Sequence, residues 1–197
     1  MAESKVAICN FALGYVGASR QISSLTESSQ EAVNCNLHYD QARKELLKEM
    51  TWPFATRYRI LGMVEQDPTV EWGYSYRYPS NCLRVRRILT GTRNDPEPPP
   101  FVIGSDDDGL LIYCDIEDAQ IEYTVDEEDP LRFDALFADA LAWKIGYKIA
   151  PSLGRMKGAT ERCDKMYLVS LSIAKAESAN ETQRTESPDA EAIRARQ

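Results

Sequence analysis

Histidine is nearly missing from this sequence: His38 is the only one in 197 residues. That scarcity removes most metal centres and the usual Ser/His and Cys/His nucleophile pairs. On a helix beside Tyr39, the lone imidazole reads as an ordinary packed or surface residue rather than a general base. The five cysteines form no C-x-x-C pair and are odd in number, which argues against a zinc site and against a complete disulfide framework. They read as small buried hydrophobes, and no cofactor or metal is expected. Glycine-rich phosphate loops and nucleophile elbows are missing as well.

Positive charge is also in short supply. The formal net charge of -8 disfavours a dedicated nucleic-acid-binding role, because phosphate affinity comes mainly from Lys and Arg. Apolar runs fall far short of the ~20 residues that cross a bilayer, so no membrane partner is expected. The segment MAESKVAICNFALGYVG lacks the charged-then-apolar layout of a signal peptide, which implies synthesis in the cytoplasm. With 43% hydrophobic and 27% charged residues, the composition suits a soluble globular domain with a sizeable core.

What is present divides by period. In the stretch 5–16, Ile8, Cys9, Ala12, Leu13 and Val16 share one helical face. A second helix is expected over 28–51, about 33 Å long, opened by a Ser28/Glu31 capping box and stopped at Trp52-Pro53. Its stripe is Ala32, Cys35, Tyr39, Ala42, Leu46 and Met50. Residues 54–125 then change to short aromatic and β-branched runs, which predict an antiparallel sheet of four to six strands. Helices return at 130–150, apolar around much of the circumference and read as the central core helix, and at 155–175. The fold class is therefore α+β: a bundle of about four helices with an inserted antiparallel sheet, forming one domain over 1–175. The polar stretch 176–197 cannot bury enough surface to order itself. It is either a disposable tail or an arm that orders on a neighbour, with Ile193, Arg194 and Arg196 as anchors.

Three stretches invite sharper readings. WGYSYRYPSNCLRVRRI sets Trp72, Tyr74, Tyr76 and Tyr78 beside Arg77, Arg84, Arg86 and Arg87, as a single-strand nucleic-acid surface would. Period-2 alternation favours a packed hairpin instead, with Pro79-Ser80-Asn81 as its turn. TGTRNDPEPPP reads as a stiff loop more than as a ligand for an aromatic groove. SDDDGLL lacks EF-hand spacing and reads as a solvated hairpin tip rather than a cation site. Carboxylates such as Asp106, Asp108, Glu122, Asp126 and Glu128 keep a glycan hydrolase open as the alternative function, since that chemistry needs only two acids at the right separation. A monomeric host-directed interaction protein, with the aromatic hairpin as its binding face, is a third possibility.

A particular order of residues runs through the chain. Tyr39-Asp40, Ala42-Arg43 and Leu46-Leu47 lead to Trp52-Pro53-Phe54-Ala55; Trp72, Tyr76, Tyr78-Pro79 and Cys82-Leu83-Arg84 follow, then Tyr123, Asp129-Pro130 and Phe133. Taken together, this layout resembles the tail tubular protein A family of head-to-tail adaptors in tailed bacteriophages, over nearly the whole chain. The resemblance implies a structural protein rather than an enzyme, assembled as a ring of twelve copies in the neck of the virion. Its partners would be the portal protein and the tail nozzle protein, with DNA passing transiently and non-specifically through the channel. An acidic chain fits that role, because a bore crossed by DNA should not hold phosphates. Arg77, Arg84, Arg86 and Arg87 would then face other subunits or partner acids, and the arm, through Ile193, Arg194 and Arg196, would contact an adjacent subunit or the portal.

Overall fold

In a computed structural model, residues 4–92, 95, 97–154 and 156–181 are described. The helices α1 (Lys5–Val16), α2 (Gln30–Glu49), α3 (Ala135–Leu153) and α4 (Ala159–Glu181) flank seven strands in the middle of the chain. The α+β class expected from periodicity is the one observed. Among the described residues no helix is long and apolar enough to cross a membrane.

Helix α3 is central because apolar side chains cover most of its circumference, its few charged ones pairing with neighbouring helices. Phe137, Leu141, Ile145 and Ile149 are buried along it, and so are Ala138, Ala142 and Trp143 on other sides. It packs against α1, α2 and α4. The helices come close at Gly146, where a Cβ would stand 3.2 Å from Cys163 Sγ of α4 and 3.7 Å from the Ala12 carbonyl of α1. Gly17 ends α1 in the left-handed region at φ 73°, and a Cβ there would strike Met156 Cγ at 2.7 Å.

Several helix boundaries differ from the expected ones. Helix α2 is capped by Ser29, not Ser28: its hydroxyl accepts from the Ala32 amide at 3.3 Å. Adjacent serines offer the same capping chemistry, so the sequence alone cannot choose between them. Asp129-Pro130 opens only the short 3₁₀ turn Pro130–Arg132; α3 starts later, capped by Asp134, which accepts from the Leu136 amide at 2.7 Å. Between the two caps, extended Phe133 turns its ring onto Phe54 and Phe137, at centroid distances of 5.7 and 4.8 Å. Pro151 does not close α3. It sits in the last turn, which continues to Leu153. Helix α4 runs through Glu181, past the expected end at Lys175, because Lys175-Ala176-Glu177 carries good helix formers.

The expected single sheet is two. β1 (Thr56–Ile60), β7 (Gln120–Val125) and β4 (Cys82–Leu89) form one, in the order β1-β7-β4. β2 (Met63–Gln66), β3 (Tyr74–Arg77), β6 (Gly109–Cys114) and β5 (Val102–Asp106) form the other, in the order β2-β3-β6-β5. All pairings are antiparallel. β2 is a strand that periodicity does not announce, its four residues all exposed.

The Trp72–Ile88 hairpin does not form. β3 and β4 belong to different sheets, and Pro79–Asn81 is the crossing point between them. The Tyr78 amide still donates to Leu110 of the four-stranded sheet at 3.0 Å, while Asn81 already accepts from Asp126, just past β7, at 2.9 Å. The expected alternation in β4 is also broken. Two bulges shift its register against β7, so the buried residues are Cys82, Val85 and Ile88, at intervals of three. SDDDGLL is the β5–β6 hairpin tip, with Asp106 opposite Gly109.

Candidate functional site

Each of the four arginines in the Trp72–Ile88 stretch expected at partner contacts has a partner within the chain. The last carbonyls of α2 have no intrahelical donor and carry the negative end of the helix dipole. β4 brings two guanidiniums to them: Arg84 donates to Lys48 O at 2.9 Å, and Arg86 to Leu47 O at 2.9 Å and Met50 O at 2.5 Å. Arg86 Nε also donates to Thr124 Oγ1 of β7 at 2.8 Å. Burial, reinforced by neighbouring Arg84, lowers the Arg86 pKa from its ordinary value.

Arg77 and Arg87 make side-chain ion pairs. Arg77 grips Asp106 with both nitrogens, at 2.7 and 2.9 Å, reaching from β3 over β6 to β5. That fork holds the Asp106 carboxyl below its usual range. Arg87 lies opposite Glu122 in the β4–β7 register and donates to its Oε2 at 2.7 Å. The side chains of Arg77 and Arg87 keep 35% and 40% of their surface exposed, enough to meet a second partner. Ile193, Arg194 and Arg196 lie outside the described residues.

The five carboxylates weighed for hydrolysis fall into three places. Asp106 and Asp108 share the β5–β6 tip, Glu122 pairs with Arg87, and Asp126 and Glu128 gather around Arg43. Burial acts to raise the Asp126 carboxyl, but hydrogen bonds from Arg43 and Lys44 bring it below its ordinary value. Asp106 and Asp126 are thus both held ionised, a state opposite to that of a proton-donating acid.

Arg43, part of the Ala42-Arg43 pair in the layout above, has no role that composition or periodicity assigns to it. It is fully buried, on the apolar stripe of α2 between Tyr39 and Leu46. Its NH1 donates to Asp126 Oδ1 at 2.5 Å and to Glu127 O at 2.6 Å, while Lys44 reaches Asp126 Oδ2 at 3.0 Å. Glu127 in turn pairs with Arg132 at 3.2 Å and Arg57 at 3.5 Å. The network thereby ties α2, β1 and the exit of β7 together. A charged residue on an apolar helical stripe was the available signal.

A second network joins α2, α3 and α4. Lys144 Nζ donates to Glu49 Oε1 at 2.6 Å and to the Tyr167 hydroxyl at 3.1 Å, and Lys148 donates to Glu45 at 3.0 Å. Burial, then the bond to Glu49, raises the Tyr167 pKa. His38 is half-buried nearby in sequence, its pKa lowered first by burial and then by Lys148. All five cysteines are buried and free.

A pocket of about 220 Å³ is lined by Trp52, Phe54, Phe133 and the end of α4 at Ala174 and Glu177. A groove of about 580 Å³ runs between the sheets, past Arg59, Leu61, Arg77, Tyr78, Cys82 and Leu110.

Large apolar side chains are exposed in strips. Leu168, Val169 and Ile173 lie along α4, Val33 and Leu37 one turn apart on α2, and Tyr58, Ile60, Met63 and Val64 along β1 and β2. No protein-family model matches the chain, and no curated protein matches it either.

Proposed function

We propose that this chain is a structural head-to-tail adaptor of a tailed bacteriophage, forming a ring between the portal and the tail nozzle and enclosing the path of the DNA. The observation that carries this reading is the set of exposed apolar strips on α2, α4 and the β1–β2 region. A subunit in a closed ring has a neighbour on each of two sides, so it needs apolar surface on more than one element. A net charge of -8 accompanies those strips, and an acidic surface is what lets DNA pass without adhering.

The layout that resembles the tail tubular protein A family also acquires a physical sense. Arg43, Trp52, Phe133 and Arg84 are joints. Arg43 ties α2 to the exit of β7, and Trp52 donates to Leu46 O at 3.0 Å with its ring edge-on to Phe137 at 4.9 Å. Phe133 packs on Phe54, and Arg84 caps α2. Such joints hold helices and sheets in fixed relation, as a ring subunit that bears load between head and tail requires. On this reading the protein resides in the neck of the virion, with portal and nozzle on its two faces. Arg84, which is exposed, and Arg77 and Arg87, still partly exposed, are the arginines with surface left for partner acids.

Sedimentation of the full chain, alone and mixed with purified portal protein, tests the proposal. A discrete complex with one adaptor chain per portal chain supports it. Separate sedimentation of the two proteins at every ratio would overturn it.

A further inference from the structure

The four-stranded sheet ends in two edges, β2 and β5, and neither takes a second strand partner among the described residues. Residues opposite one another in an antiparallel register share a face. Met63 pairs with Tyr76, Tyr76 with Ile112, and Ile112 with Ile103, so these four form one row across the sheet. The middle of the row, Tyr76 and Ile112, is fully buried, while its ends are open: Met63 is 57% exposed and Ile103 is 42% exposed. An apolar row therefore stops at both edges without cover.

We propose that β5 of one copy pairs antiparallel with β2 of the next, so that the sheet continues from subunit to subunit. The chain supplies three arguments for a second copy as the occupant. Four alternating strands make β2 and β5 antiparallel to each other, so a copy set alongside in the same orientation extends the alternation without a mismatch. The register that sets Ile103 against Met63 also brings Val102 beside Val64, the extra residue of the β2 bulge, so exposed apolar side chains of both strands gather at the seam. Neither strand carries the lysine or proline by which natural edges refuse a partner.

Self-pairing of either edge is a poorer match. β5 against its own copy, centred on Ile103, places Val102 opposite Gly104; β2 against its own copy, centred on Val64, places Met63 opposite Glu65. Each self-pairing keeps one apolar pair, on its axis, flanked by mismatches; the β5-to-β2 arrangement brings Met63, Val64, Val102 and Ile103 together. It is also head-to-tail, the arrangement that closes into rings. The bulge between Met63 and Glu65 keeps the paired stretch short, so this seam works together with the helix strips rather than replacing them. The inference rests on the ring reading for its closure, and it specifies which surfaces meet.

The test uses the full chain with two exposed substitutions, its fold checked by circular dichroism. Ile103→Lys puts an ammonium into the row and is expected to weaken self-association at least about tenfold. Adding Met63→Glu in the same chain is expected to restore it, because the introduced ammonium on β5 of each copy then faces the introduced carboxylate on β2 of the next. Within one copy the two positions lie three strand spacings apart, about 14 Å, too far for an ion pair. Rescue therefore reports contact between copies. Oligomers indifferent to Ile103→Lys, or no rescue by Met63→Glu, would overturn the seam and leave the ring reading standing. A chain that associates through this edge but never joins portal would do the reverse. A wild-type chain monomeric both alone and with portal would overturn both.

Discussion

Arg43 NH1 stands 2.5 Å from Asp126 Oδ1, and through that contact a fully buried guanidinium on α2 is neutralised by the segment leaving β7. Neither partner is independent. Asp126→Ala strands the buried cation and is expected to cost about 3 to 5 kcal/mol in urea unfolding, whereas Arg43→Met, which removes the charge and keeps the bulk, should cost clearly less. Equal losses from both variants would show that the charge is not what makes the site expensive to break.

The same pair sets a dependence on acid. Asp126 has a folded pKa below its unfolded value, so its contribution is complete above the ordinary carboxylate range and is lost as pH falls through the folded pKa. Urea midpoints measured from about pH 6 down to pH 2 should fall, and Asp126→Asn should flatten part of that slope. An unchanged slope in Asp126→Asn would contradict the assignment.

Arg86 serves three acceptors, and its loss would take this donor from the Leu47 and Met50 carbonyls and from Thr124 Oγ1. Arg86→Ala is expected to destabilise the fold by about 2 kcal/mol, and Arg86→Lys should recover only part, since an ammonium cannot reproduce the planar fork. Arg84→Ala, at an exposed position, should stay within about 0.5 kcal/mol. Thermal melts of the three variants decide it.

Gly17 combines a left-handed φ of 73° with a Cβ position already filled by Met156. Gly17→Ala should lower stability by about 1 to 2 kcal/mol. Pairing it with Met156→Ala should relieve the clash but not the backbone strain. Full recovery in the double variant would mean that crowding alone accounts for the loss.

The helices were legible because a buried face repeats every three or four residues, and α1 matches its expected bounds throughout. Strand segments were legible too, apart from β2, whose exposed residues carry no alternation. Partnering was not. β3 and β4 are neighbours in sequence, yet β3 pairs with β2 and β6 and β4 with β7, and two bulges give β4 a three-residue spacing that no period-2 template anticipates. The arginines were visible, but the partners of Arg84 and Arg86 are mostly backbone carbonyls at a helix end, groups that every residue possesses and no side-chain pattern marks. Arg43 was readable in principle, as a cation on an apolar stripe; its partner Asp126 lies more than eighty positions away.

Electron microscopy of the purified protein mixed with portal protein tests the central claim most directly. Closed rings of the chain stacked coaxially on portal rings, with an open bore, are the result expected. Portal rings left bare while the chain remains as single particles would contradict it.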